Sequence, residues 1–177
     1  MTISHPDKVL FPDDGITKAE LADYYRAVAS LMLPLVSGRP VAMQRFPNGI
    51  GRGGFYQKQA ADYFPDWIER VTAPNRRTRG GTTRDEVTYM VCRHPDDLVY
   101  LANQACVTPH VWLSRAPDVH HPDLLVFDLD PASADPRVLQ LAAASLHGLL
   151  DELGLPSFLK SSGSRGLHVV VPLVPAA

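Results

Sequence analysis

Residues 124–130 have the sequence LLVFDLD, an apolar run that ends in two aspartates. An apolar run of this length predicts a buried β-strand. Side chains two residues apart on a strand point to the same face, so Asp128 and Asp130 should converge while Phe127 and Leu129 pack on the opposite face. Two close carboxylates repel each other and are costly to desolvate, which favours a divalent cation between them. Carboxylate oxygens suit Mg²⁺ or Mn²⁺; the alternative is a pair of aspartates at a solvated strand end.

The residues that follow this strand predict a second chemical element. Asp135 and Pro136 are typical of a helix N-cap and first turn, and Gly154 should stop that helix. A short strand at 156–160 then leads into the loop SSGSRG, residues 161–166, and a strand at 167–173. Small loop residues let backbone N–H groups surround an anion, and Arg165 adds a forked donor for phosphate. His168 opens the last strand and should point back to the aspartates, although Gly/Ser loops and single histidines are more often structural.

The rest of the chain predicts an α+β fold with mixed or mainly antiparallel sheets flanked by helices. Residues 17–20, TKAE, form a capping box before a helix that should end at Gly38. Strands are expected at 40–46 and 87–93, and a short helix is expected from Pro95 to about residue 106. The chain stops soon after the apolar strand 167–173, with no closing helix, so we expect a domain that is truncated at its C-terminus.

Composition narrows the class of protein. The 177 residues carry a net charge of −2, which argues against nucleic-acid binding by the whole surface. Residues 70–84 nevertheless contain five arginines and no acid, which indicates either a basic face for a polyanion or a solvated loop. Cys92 and Cys106 form no disulfide framework, and neither a signal peptide nor a membrane-length apolar run is present. We therefore expect a cytoplasmic protein with no membrane partner.

Several segments together resemble a known family. The motifs FDLDP and SSGSRGLHVVVPL, separated by one helix, are similar to the first two motifs of the archaeo-eukaryotic primase superfamily. They resemble more closely the polymerase domain of bacterial ligase D, as do HPDKVLFPDDGITKAELADYY and RPVAMQRFPNGIGRGGFYQKQ in the N-terminal half. The resemblance covers essentially the whole chain. It implies one primase-polymerase-like domain over residues 1–177, with a DNA-end-binding portion at 1–110 and a catalytic metal and nucleotide portion at 111–177.

The resemblance also implies an activity and partners. The reaction would be metal-dependent transfer of a nucleotide from an NTP or dNTP to a 3′-hydroxyl, at gaps or double-strand breaks in DNA, during non-homologous end joining. Mn²⁺ or Mg²⁺ would be the cofactor. A ligase and a Ku-like end-binding protein are the further partners that such a role implies.

Site residues follow from the same resemblance. The catalytic and metal-binding residues would be Asp128 and Asp130. The nucleotide-binding residues would be His110, Ser162, Ser164, Arg165 and His168. The pocket for a DNA 5′-phosphate would contain Lys8 and Lys18, and the template or strand would contact Arg45, Phe55, Tyr56 and Lys58. Core packing is the alternative for Phe55, and an ordinary surface position is the alternative for the lysines.

Three departures from the family pattern bear on these roles. His5 stands where asparagine is more common, and Arg165 replaces a common lysine. The family has a third catalytic carboxylate on a later strand, and residues 169–177 contain no acid. The sequence therefore leaves open a non-catalytic module that binds 5′-phosphorylated DNA ends. A phosphatase of the haloacid-dehalogenase type, which also places DxD after an apolar strand, is a third alternative.

Overall fold

The computed structural model describes residues 1–75, 86–131 and 135–174. The chain divides into two compact units, an N-terminal unit of Met1–Val119 and a C-terminal unit of His120–Ala177. Most of the arginine-rich stretch lies outside the described residues. Arg70 is described, and its guanidinium donates to the backbone oxygen of Phe64 at 2.7 Å, so this arginine supports a loop of its own unit.

Two helices of the N-terminal unit begin where the sequence predicts. Helix α1 spans Lys18–Val36, and the Thr17 N–H donates to Glu20 Oε2 at 2.8 Å while the Glu20 N–H donates to Thr17 Oγ1 at 3.3 Å. Helix α2 spans Pro95–Asn103. Asp97 is buried and accepts from the N–H groups of Arg93 and His94, each at 2.7 Å, which satisfies donors at the start of α2. Both predicted helices are confirmed, α2 ending a few residues earlier than expected.

The N-terminal unit also contains a small hairpin and a five-stranded sheet. Its strands, in chain order, are β1 (Val9–Phe11), β2 (Ile16–Thr17), β3 (Pro40–Arg45), β4 (Phe55–Gln57), β5 (Glu69–Pro74), β6 (Glu86–Val91) and β7 (Cys106–Val111); a 3₁₀ turn at Ile50–Arg52 precedes β4. Strand β3 organises the sheet because it pairs with β7 along one edge, while β6 and β4 share the other edge. All of these pairings are antiparallel. Strands β5 and β7 were not predicted from the sequence, and β5 replaces the solvated loop that was one of the two alternatives for the start of residues 70–84.

One face of this sheet packs on the two helices. Buried residues from β3, α1 and α2 form the main core; they include Val41, Met43, Leu21, Tyr25, Leu98 and Leu101. Burial raises the pKa of Tyr25, whose hydroxyl donates to the backbone oxygen of Cys106 at 3.3 Å. Packing against the two helices therefore fixes the position of β3 in this unit.

The C-terminal unit is a three-stranded antiparallel sheet with one helix. Strands β8 (Leu124–Leu129), β9 (Phe158–Ser161) and β10 (Leu167–Pro172) lie in the order β8–β10–β9, and helix α3 spans Pro136–Glu152. Asp135 caps α3 by accepting from the Arg137 N–H at 2.9 Å, and Gly154 follows its end at a φ of +69°, as predicted. Phe127 and Leu129 pack with Val169, Val171 and residues of α3 on one face.

The predicted burial of β8 needs a correction. Leu125 is exposed, Val126 is half-buried and Asp128 is exposed, so β8 is not a fully buried strand. Helix α3 packs on one face of the sheet only, and within the described residues of this unit no element packs on the face that carries Asp128. Among the described residues, no helix has the length and apolarity that a membrane span requires.

Candidate functional site

The two aspartates lie at the end of β8, next to His168. Asp128 is directly opposite His168 of β10 in the strand register, and His168 Nε2 lies 3.3 Å from Asp128 Oδ1. The Asp128 side chain is 64% exposed, whereas that of His168 is 25% exposed. Asp130 is exposed as well and follows the last residue of the strand. The sequence expectation that His168 points back to the aspartates agrees with this geometry.

Gly166 joins the aspartate site to the Gly/Ser loop. A Cβ atom at this position would lie 2.9 Å from the Leu129 backbone oxygen, 3.1 Å from Asp130 Oδ1 and 3.1 Å from Ser162 Oγ. These separations are shorter than an ordinary van der Waals contact. The carboxylate of Asp130 and the hydroxyl of Ser162 therefore approach the same point of the backbone, and only glycine leaves them the space to do so.

The loop between β9 and β10 is closed by two hydrogen bonds. The Ser162 N–H donates to the Gly166 backbone oxygen at 3.0 Å, and the Gly166 N–H donates to Ser162 Oγ at 3.1 Å. Gly163, at the tip, has a φ of +90°, which a residue with a side chain adopts only with strain. Ser164 and Arg165 are exposed, and no described residue accepts from their N–H groups. The loop thus presents unused donors to solvent.

The donor set at Asp128 and Asp130 fits a hard divalent cation in part. No described residue donates to Asp130, and His168 is the partner of Asp128. No group of three His, Cys, Asp or Glu side chains suited to a metal occurs in the described ranges. Mg²⁺ commonly takes one or two carboxylates together with water and substrate phosphates, so two carboxylates at an open strand end are compatible with such an ion.

A buried cation marks a second cluster, in the N-terminal unit. Lys18 is 6% exposed, and its ammonium donates to the Ser4 backbone oxygen at 2.7 Å and to Ser4 Oγ at 3.2 Å. Burial lowers the pKa of Lys18, and the positive charges of Lys8 and Arg45 lower it further. No carboxylate of the described chain forms an ion pair with any of the three. Clustered cations without a counter-charge are suited to an anionic ligand.

The backbone around His5 explains one departure from the family pattern. His5 has a φ of +50°, in the left-handed region where asparagine is more frequent than most residues and histidine is also enriched. This turn brings the Lys8 N–H within 3.1 Å of the His5 backbone oxygen, and the Lys18 N–H donates to the Lys8 backbone oxygen at 2.8 Å. The replacement of asparagine by histidine is therefore compatible with the turn that joins Lys8 to the start of α1.

Neutral groups hold Arg45 at the end of β3. Its Nε donates to the backbone oxygen of Gln104 at 2.7 Å, and its Nη1 donates to the side-chain oxygen of Gln57 and to Tyr63 Oη, the latter at 3.3 Å. The Tyr63 hydroxyl in turn donates to Gln104 Oε1 at 3.1 Å. Because these partners carry no charge, they orient the guanidinium without neutralising it. Sequence reasoning missed the roles of Tyr63 and Gln104, since neither residue lies in a motif.

The predicted aromatic contacts are exposed. Phe55 and Tyr56 are 48% and 59% exposed, which excludes core packing for Phe55. The guanidinium carbon of Arg45 lies 5.6 Å from the centre of the Phe55 ring, within the range of a cation–π contact. The ring centres of Tyr56 and His110 lie 5.2 Å apart, and burial lowers the pKa of His110. Lys58 is half-buried beside them in sequence.

The structure thus assembles two clusters from the predicted residues. The C-terminal unit gathers Asp128, Asp130, Ser162 and His168, with Ser164 and Arg165 exposed on the adjoining loop. The N-terminal unit gathers Lys8, Lys18, Arg45 and Phe55, and separately pairs Tyr56 with His110. The grouping of His110 with the nucleotide-binding residues joins two units and remains a prediction.

Comparisons with known proteins agree on the family. A family model described as the LigD primase-polymerase domain matches residues 17–177. The chain is 38% identical over 175 residues to a multifunctional non-homologous end joining protein LigD of Mycolicibacterium smegmatis, covering 97% of this chain and 22% of that protein. It is 31% identical to a bifunctional LigD of Bacillus subtilis, covering 97% of this chain and 26% of that protein. The chain therefore spans about a quarter of the length of these relatives.

A solved structure extends the agreement to the fold. The polymerase domain of Mycobacterium tuberculosis ligase D, in complex with DNA, superposes with a TM-score of 0.87 and 34% sequence identity. The match covers 100% of this chain and 63% of that one. The archaeo-eukaryotic primase-like α+β fold that the motifs predicted is thereby confirmed. From its sequence and its fold alike, this chain belongs to the LigD primase-polymerase domain family.

Proposed function

We propose that this chain takes part in DNA end joining as a primase-polymerase, by adding nucleotides to a 3′-hydroxyl at a gap or double-strand break. One observation carries the proposal: the approach of Asp130 and Ser162 to the same backbone point at Gly166, beside the Asp128–His168 pair. This approach unites a carboxylate pair with a loop of free N–H donors in one small unit. Such a combination suits the simultaneous binding of a metal ion and a phosphate chain.

The C-terminal cluster would perform the chemistry. Asp128 and Asp130 would hold Mn²⁺ or Mg²⁺, which when bound activates the attacking hydroxyl and offsets charge on the phosphates. The N–H groups of Ser164 and Arg165 would donate to phosphate oxygens, and the guanidinium of Arg165 would add a forked contact. His168, held 3.3 Å from Asp128, would donate to a phosphate oxygen from the same face of the sheet.

The N-terminal cluster would bind DNA. Lys18 and Lys8 would receive the 5′-phosphate at the far side of the gap, because their charges repel each other in the absence of an anion. The exposed rings of Phe55 and Tyr56 would stack on template bases, an interaction that tolerates any base. Arg45 and Lys58 would contact the strand, and DNA in the structure of the M. tuberculosis relative makes such a partner reasonable.

The experiment is primer extension by this chain on gapped DNA, with Mn²⁺ or Mg²⁺ and with either NTP or dNTP. We expect added nucleotides that depend on metal and disappear in Asp128→Asn, while binding to DNA ends is retained. An Asp151→Asn variant removes an equal charge from exposed α3 and should behave as the wild type. Extension that survives Asp128→Asn would contradict the proposal.

A second candidate is a non-catalytic module that binds 5′-phosphorylated ends. It is favoured by the lack of a third carboxylate near Asp128 in the described residues. It is also favoured by the cluster of Lys8, Lys18 and Arg45, which could bind a 5′-phosphate without a metal ion. Binding that requires the 5′-phosphate, with no extension at high protein concentration, would select this candidate. Membership of the LigD family argues against the phosphatase alternative. The ligase and Ku-like partners remain predictions.

A further inference from the structure

The strand register places a lysine that no motif includes beside the candidate nucleotide site. His168 lies on the central strand β10, directly opposite Asp128 of β8 on one side and Lys160 of β9 on the other. Directly opposed residues of paired strands project from the same face of a sheet. Asp128, His168 and Lys160 therefore form a row across the face that α3 leaves open.

The charges of this row change sign from one end to the other. Asp128 is the acidic end and contacts His168 Nε2. Lys160 is the basic end, is exposed, and has no hydrogen-bond or ion-pair partner within the described part of the chain. Neighbouring strands lie about 4.8 Å apart, so the row spans roughly 10 Å from Asp128 to Lys160. A ligand whose metal lies at Asp128 and whose phosphates extend past His168 would approach Lys160.

The loop that follows β9 supports the same direction. Lys160 precedes Ser162 by two residues, and β9 ends between them at Ser161. Lys160 therefore lies at the base of the loop whose N–H groups at Ser164 and Arg165 are unused. An ammonium at this position complements those donors, since it is a compact charge that adapts to any non-bridging phosphate oxygen.

We propose that Lys160 is a phosphate-binding residue for the triphosphate of the incoming nucleotide, and this rests on the function proposed above. A nucleoside triphosphate fits the row better than a DNA backbone does. It brings a divalent cation to the carboxylate end, whereas a bare backbone phosphate would be repelled by Asp128 and Asp130. Lysine on an edge strand such as β9 also discourages pairing between sheets, and the experiment separates the two roles.

The test compares Lys160→Met with Arg137→Met. Arg137 is exposed in the first turn of α3, so the control removes the same charge from the same unit. Affinities are measured by calorimetry for ATP with Mn²⁺, for AMP, and for gapped DNA. We expect Lys160→Met to weaken ATP binding by at least about tenfold, the loss typical of a charge-assisted hydrogen bond. AMP and DNA should be affected much less, and Lys160→Arg should restore most of the ATP affinity.

The outcomes separate this proposal from the function on which it rests. Equal ATP affinity in Lys160→Met and Arg137→Met, with ATP binding still lost in Asp128→Asn, would overturn the role of Lys160 alone. A selective loss of DNA affinity would overturn it in favour of a backbone contact. Aggregation of Lys160→Met by light scattering, with ATP affinity unchanged, would assign the lysine to protection of the strand edge. A wild-type chain that binds no ATP would overturn both proposals.

Discussion

Replacement of Gly166 by alanine should disturb the aspartate and the loop together. Gly166 is buried and is not among the glycines with positive φ. Its backbone conformation is therefore open to alanine, and the obstacle to the replacement is steric. Its Cβ would lie 2.9 Å from the Leu129 backbone oxygen, which belongs to β8 and cannot move independently. Asp130 Oδ1 and Ser162 Oγ, both at 3.1 Å, would have to give way by a few tenths of an ångström.

The magnitude follows from two opposing effects. Overpacking of this kind costs about 1–3 kcal/mol. The reduced freedom of the unfolded chain on Gly→Ala replacement returns about 0.4–1 kcal/mol. We therefore expect the C-terminal unit to lose roughly 1–2 kcal/mol of unfolding free energy. Metal affinity should fall as well, since the carboxylate of Asp130 is displaced.

Two measurements check this prediction. Amide hydrogen exchange of β8 and β10 reports the stability of the unit, and the electron paramagnetic resonance signal of free Mn²⁺ reports metal binding. Gly148→Ala is the matched control, because Gly148 lies inside α3 and an added Cβ meets nothing within 4 Å. It should stabilise the unit by about 0.5–1 kcal/mol. Gly166→Ala with wild-type exchange rates and wild-type Mn²⁺ affinity would refute the close-approach argument.

Two further predictions concern the N-terminal unit. Because burial, Lys8 and Arg45 lower the pKa of Lys18, its ammonium loses its proton at a lower pH than an ordinary lysine. The preference for 5′-phosphorylated over 5′-hydroxyl DNA ends is measured by titration from pH 7 to 10. It should decrease as the pH rises, before the pH reaches the ordinary lysine value of about 10.4, and it should be absent in Lys18→Met. Thr17→Ala should lower the unfolding free energy of the chain in urea by about 1 kcal/mol at pH 7, since it removes the α1 cap. The backbone N–H of Thr17, and after it the Thr17 side chain, lower the pKa of Glu20. The bond from Thr17 Oγ1 to the Glu20 carboxylate is therefore fully present above about pH 4.3 and is lost as the pH falls through the lowered value, whereas the bond from the Glu20 N–H to Thr17 Oγ1 persists. Thr17→Ala should thus cost less at pH 3 than at pH 7, and a larger cost at pH 3 would contradict this reasoning.

The sequence predicted best those features that depend on neighbouring residues. The capping box at Thr17, the cap at Asp135 and the stop at Gly154 all act within one helical turn, so their signals are local. The return of His168 to Asp128 followed from strand spacing and the short connection between β9 and β10. These elements account for most of the candidate metal and phosphate site.

The features that the sequence missed depend on distant partners. Strand β7 contains Pro109, which is unusual inside a sheet, and β5 merges into the arginine-rich stretch; both are strands because β3 and β6 lie beside them. The apolar run of β8 gave no indication that, among the described residues of its unit, helix α3 would cover only one of its faces, since burial depends on where that helix packs. Lys160 became a candidate only when the register placed it opposite His168.

The arrangement of β3 has a consequence for synthesis of the chain. Val41 pairs with Met90 of β6 and with Val111 of β7, so at this residue both edges of β3 wait for segments made much later. Farther along β3, Met43–Arg45 pair with β4, which is made soon after β3. Closing the long loops to β6 and β7 costs chain entropy before the strand pairs can form and stabilise the sheet, so sheets whose strands are distant in sequence form slowly. While the chain emerges from the ribosome, the edge of β3 that later pairs with β7 is unpaired and can associate with other chains. The strand that organises the finished sheet therefore keeps one edge unpaired until β7 has been made.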